Sequence, residues 1–197
     1  KSKVFQDTKK AVDALHGKTI TLSPQNGDLC YYHYDVSGYV LGYILGVEWD
    51  EIFVDYVCRL NEGLEPYHGT YVSSRQDANA FEIFFSQWGD YLFKYEEETY
   101  GTQKLLSFAN WPETDPLINE VSPKLSVQSV TENTEAFIDL ENLQFSDQVK
   151  SGMFASYNVY PYFPTCLQYG KYTEYIDDEG NRNPYRKYLM ELVVHHS

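Results

Sequence analysis

The nine residues Tyr39-Val40-Leu41-Gly42-Tyr43-Ile44-Leu45-Gly46-Val47 are nearly all apolar. A bilayer span needs about 20 such residues, so no membrane span is expected from this segment. A short run without polar alternation predicts a strand buried on both faces, as in a parallel sheet. Lys104-Leu105-Leu106-Ser107-Phe108-Ala109 has the same character, and so does Met153 to Tyr160, which Pro161 and Pro164 stop. Helical periods separate these runs. An opening helix places Phe5, Thr8, Val12 and Leu15 on one face and ends at Gly17. Residues 51–60 read as a second helix. Residues 78–100 give the strongest pattern, with Phe81, Phe84, Phe85, Trp88, Leu92 and Tyr95 in one stripe, Asp77 as N-cap and Gly101 as stop. Asn183 and Pro184 start a closing helix with Tyr188, Leu189, Leu192 and Val193 turned inward. Residues 19–22 read as a short strand, 61–76 as loop and 112–150 as a long polar insertion. The order predicts α/β architecture with parallel strands and flanking helices, in one domain over 1–197.

Charge and composition then narrow the function. Fifteen Lys and Arg against 29 Asp and Glu give a net charge of −14, which would repel phosphate and argues against a nucleic-acid partner. Nineteen Tyr, 11 Phe and 3 Trp make 17% of the chain aromatic. Tyr joins an apolar ring to a polar tip, which suits clefts that hold sugars, and equally a core whose hydroxyls are satisfied locally. Cys30, Cys58 and Cys166 match no zinc spacing and read as small buried residues. His33, His68, His195 and His196 are too dispersed for a metal motif, and the last two read as an exposed helix end. Glu96, Glu97 and Glu98 read as a solvated face. No phosphate-binding glycine loop occurs. With no zinc spacing either, neither a metal nor another cofactor is expected.

Ligands of parallel α/β folds gather beyond the carboxyl ends of the strands. The first such end carries Glu48, Trp49 and Asp50. The second carries Asn110, Trp111, Glu113 and Asp115, and the third Tyr157, Asn158, Tyr160 and Tyr162. Glu48 follows an apolar strand and precedes an indole, an environment that favours a general acid. The alternative is a carboxylate capping the next helix together with Asp50 and Glu51. Trp49 and Trp111 would stack on sugar rings, and Asn110, Tyr157, Asn158 and Tyr160 would hold hydroxyls.

The stretch Tyr43-Ile44-Leu45-Gly46-Val47-Glu48-Trp49 resembles the fourth strand of the retaining (β/α)8 glycoside hydrolases, where an aliphatic run leads to Gly, Asn and the acid/base Glu. Val47 stands in place of that Asn. Residues 106–111 are similar to the fifth strand and 157–162 to the sixth, with Asn158 where the family often has His. The resemblance extends to bacterial barrel domains similar to these hydrolases. It implies a partial TIM barrel from about helix three to helix six, carbohydrate as partner and Glu48 as acid/base. The family's nucleophile ends the seventh strand, which would follow Ser197, with Glu113 and Asp115 as the only substitutes. Catalytic silence of these 197 residues is therefore expected, with exposed sheet edges available to a second copy. Two other readings stand beside it. One is a non-catalytic carbohydrate-binding domain, which Val47 favours. The other is a structural or interaction domain whose aromatics form core and interface.

Overall fold

A computed structural model describes residues 2–23, 28–110, 113–117, 137–159 and 172–197. The helices are α1 (Ser2–Leu15), α2 (Glu51–Leu60), α3 (Ala80–Tyr100) and α4 (Pro184–His195). The strands are β1 (Ile20–Ser23), β2 (Asp28–Cys30), β3 (Gly42–Leu45), β4 (Val72–Ser74), β5 (Leu105–Asn110), β6 (Leu143–Phe145) and β7 (Ser156–Tyr157). Short 3-10 turns occupy Ser37–Tyr39 and Leu140–Asn142. No helix among the described residues is long and apolar enough to cross a membrane.

The strands form a parallel sheet in the order β3-β5-β7 and two separate antiparallel ribbons, β1-β2 and β4-β6. Gly42 to Leu45 pair with Leu105 to Phe108, and Asn110 pairs with Tyr157. This arrangement overturns the expected partial TIM barrel. Among the described residues parallel pairing is confined to three strands, and β7 contributes only two residues. The segments read as loop and insertion instead supply β4 and β6, which pair with each other from Val72–Phe145 to Ser74–Leu143. The expectation that the 39–47 run is buried on both faces also fails. Residues 37–39 form a 3-10 turn, Ile44 is 55% exposed, and Leu41 and Val47 are exposed. Among the described strands β3 pairs only with β5, so it is an edge, and an apolar run by itself does not distinguish edge from centre.

Helix α3 supplies the main core. Phe85 stacks on Phe108 of β5 with ring centroids 4.4 Å apart, and Phe81, Trp88, Leu92 and Phe93 are buried around it. Gly89 lets the helix lie close, since a Cβ there would stand 3.0 Å from Leu106. Helix α1 packs on the other flank, where Phe5 stacks on Tyr91 at 4.8 Å and the Trp88 indole donates to Thr8 Oγ1 at 2.7 Å. The N-cap of α3 is Asn79, not Asp77. Its Oδ1 accepts from Phe81 N and Glu82 N, while Glu82 Oε2 accepts from Asn79 N, a capping box that outcompetes the earlier Asp. Gly101 ends the helix at φ +67°. Glu96 is 1% exposed and takes hydrogen bonds from Tyr43 and Thr102, so the 96–98 run is not a solvated face throughout.

Asn183 caps α4 by accepting from Arg186 N, with Pro184 in the first turn. Tyr188 and Leu192 join Leu117 and Tyr172 in a second, smaller cluster. Leu189 and Val193 are exposed, against expectation, because the cluster covers a narrower stripe of the helix than the apolar pattern offers. Cys58 is buried and Cys30 half-buried, while Cys166 lies outside the described residues.

Candidate functional site

The described polar groups at the carboxyl ends of the three parallel strands fall into two sets. Gly46, at φ +94°, turns the chain out of β3 and leaves Glu48 exposed. Glu48 Oε1 accepts from Asn158 Nδ2 at 3.4 Å, across the end of the intervening strand β5. Asp50, not Glu48, caps α2, its Oδ1 accepting from Phe53 N at 3.1 Å. Glu51 in the first turn of α2 has its carboxyl pushed above the ordinary range, first by burial, then by the charges of Glu113 and Asp50. This edge therefore holds an amide among several carboxylates.

Trp49 is not a free stacking wall. Its indole meets Phe81 edge-on at 5.2 Å and lies against Phe53 at 6.2 Å and Phe85 at 6.2 Å. The ring is an extension of the α3 core because Gly46 directly above it has no Cβ: one there would stand 2.8 Å from the indole nitrogen. Trp111, Tyr160 and Tyr162 lie outside the described residues.

The second set lies around Tyr157. Asn110 is 1% exposed, and its Nδ2 donates to Ile138 O at 3.3 Å. Tyr157 is its ladder partner. The Tyr157 hydroxyl lies 2.5 Å from Nε2 of His196, and His196 Nδ1 lies 2.7 Å from Glu141 Oε1. Next to it His195 Nε2 is 3.0 Å from both oxygens of Asp139. Tyr188 donates to Asp115 Oδ2, and Asp115 Oδ1 accepts from Leu117 N at 2.8 Å. Burial raises the Tyr157 phenol far above its ordinary value, and the charges of Asp115, Asp139 and Glu141 add to this, against a hydrogen bond from Asn110. Tyr157 is the last residue of β7 and Asn158 the first beyond it, and the two serve different sets. Glu48 meets Asn158, and Asn110 meets Tyr157.

His195 and His196 were expected at an exposed helix end. Both are half-buried and paired, because the last turn of α4 docks on the 3-10 turn at Leu140–Asn142 and on β7. The partners stand 39 to 56 residues away in the chain, beyond the reach of any local motif. Among the described residues no group of three or more His, Cys, Asp and Glu is arranged to hold a metal ion. No family model, no curated protein and no solved structure matches the chain.

Proposed function

We propose that the edge carrying Glu48 and Asn158 binds a neutral, hydroxyl-rich ligand of the saccharide class. The observation that supports this reading is the contact between the Asn158 amide and the exposed Glu48 carboxylate beyond two non-adjacent strands. A carboxylate accepts hydrogen bonds from two hydroxyls, and an amide both donates and accepts, so the pair can grip adjacent sugar hydroxyls. At 3.4 Å their mutual bond is long, and a ligand replaces it at little cost. Asp50, Glu51 and Glu113 near this edge, with the net charge of −14, disfavour anionic sugars. The test is calorimetric titration with a panel of soluble neutral oligosaccharides. Glu48→Gln and Asn158→Ala should each weaken binding about tenfold, the loss of one good hydrogen bond. Absence of binding by the wild-type chain across the panel overturns the reading.

A second reading, glycoside hydrolysis, is favoured by Glu51 in the first turn of α2, whose carboxyl is held above its ordinary range first by burial and then by the charges of Glu113 and Asp50. Two carboxyl groups, one held above its ordinary range, are the usual means of acid/base work on a glycosidic bond. Turnover of aryl glycosides that disappears in Glu51→Gln and in Glu113→Gln would establish it. Binding without turnover leaves the first reading alone.

A further inference from the structure

The hydrogen-bonded chain Tyr157–His196–Glu141 forms no part of the saccharide edge, and its order is that of nucleophile, base and orienting carboxylate. We propose that Tyr157 is a base-assisted nucleophile toward small, uncharged carboxylic esters, with His196 as its base and Glu141 as a positioning residue.

The geometry assigns the roles. Glu141, 2.7 Å from Nδ1, selects the tautomer with its proton on that nitrogen. Nε2 is then an acceptor, and the only hydrogen within its 2.5 Å contact is that of the phenol. Burial among Asp115, Asp139 and Glu141 keeps the phenol protonated, so it behaves as a serine hydroxyl does and must lose its proton as it attacks. The same carboxylates stabilise the imidazolium that forms, and the hydrogen bond from Asn110 steadies the phenol oxygen as it gains charge. They repel anionic substrates, which limits the class to uncharged esters.

The step balances without a co-reactant other than water. Tyr157 Oη bonds to the ester carbonyl carbon while its proton passes to Nε2. The bond to the alkoxy oxygen breaks, and the alcohol leaves with the proton from Nε2. Water then gives a proton to Nε2 and attacks the acyl group. Tyr157 departs as phenolate and takes the proton back.

The test uses p-nitrophenyl acetate with the full 197-residue chain. Release of p-nitrophenolate should fall about 100-fold in Tyr157→Phe and in His196→Gln, the scale of losing a positioned base. Imidazole added to His196→Ala should restore part of the rate. Glu141→Gln should lower kcat with KM unchanged, which loosened packing alone would not do. Peptide mapping after a rapid quench should find the acetyl group on Tyr157. Tyr157→Phe keeps the ring, so it reports on chemistry even if a His196 variant fails to fold. A wild-type rate in Tyr157→Phe, an acetyl group on another side chain, or no release above the buffer rate overturns the proposal. None of these outcomes depends on saccharide binding.

Discussion

The hydroxyl of Tyr43 donates to Glu96 Oε1 over 3.1 Å and so ties the edge strand β3 to the last turns of α3. Glu96 is 1% exposed, and burial raises its carboxyl above the ordinary range, against the hydrogen bonds from Tyr43 and Thr102. Removing one donor leaves a buried carboxyl under-satisfied. Tyr43→Phe should therefore cost about 1–3 kcal/mol by urea denaturation. The cost should be larger at neutral than at acidic pH, because the ionised form of Glu96 needs the donor most. An equal loss at both would show that only the phenol's packing matters.

Glu82 carries the clearest pH dependence. It is fully buried, and although Asn79 N, Asp139 N and Asn142 Nδ2 all donate to it, desolvation prevails and lifts its carboxyl from 4.5 to about 7. The folded chain therefore holds a proton that the unfolded chain releases, and stability falls as pH rises through the interval from 4.5 to about 7. At about 1.4 kcal/mol for each tenfold change in proton affinity, Glu82 accounts for roughly 3 kcal/mol of that fall. Below pH 4.5 the contribution is complete. Urea midpoints measured from pH 4 to 8 should show this slope in the wild type. Glu82→Gln should flatten it, whatever it does to stability overall.

A third prediction concerns the approach of the 67–72 segment to α3. Asp90 Oδ1 accepts from Tyr71 N at 2.7 Å and from Val72 N at 3.1 Å, and Oδ2 accepts from the Tyr67 hydroxyl at 2.8 Å. A Cβ on Gly69 would lie 2.4 Å from Asp90 Oδ1 and 2.2 Å from Val72 O. Gly69→Ala should therefore displace the carboxylate from its backbone donors and cost about 1–3 kcal/mol. Asp90→Ala orphans two buried N–H groups and should cost about 3 kcal/mol or more. Asp90→Asn keeps one acceptor oxygen and should be the mildest of the three. Thermal melts of the set give the order, and Gly69→Ala melting with the wild type would contradict it.

What the sequence made legible follows the range of the interactions. The stripe Phe81–Tyr95 and the stop at Gly101 are local and periodic, and α3 has both. Asn183 and Pro184 start α4 for the same reason. The capping box at Asn79 was equally local, yet Asp77 was the better-looking cap until Glu82 is seen to reach back. The pairing of β4 with β6 joins residues some 70 positions apart across a polar stretch, and no pattern announces it. The site divides in the same way. Glu48 and Asn158 were both legible as strand-end residues and do meet, whereas His196 was unreadable because both its partners come from distant segments.

Trp49 separates packing from recognition. As a sugar-stacking platform it would lose affinity, not stability, on replacement. In the fold its ring is half-buried against Phe53, Phe81 and Phe85, and its Nε1 is buried with no hydrogen-bond partner among the described residues. Trp49→Phe therefore gives up no hydrogen bond and only part of the ring contact, which should cost about 1 kcal/mol, less than the roughly 3–5 kcal/mol of Trp49→Ala. Neither change removes a group from Glu48 or Asn158. Trp49→Phe should then bind neutral oligosaccharides with wild-type affinity while melting at a lower temperature. A chain that melts normally but loses affinity would return Trp49 to the ligand edge and would mean that its contacts with the α3 rings are dispensable.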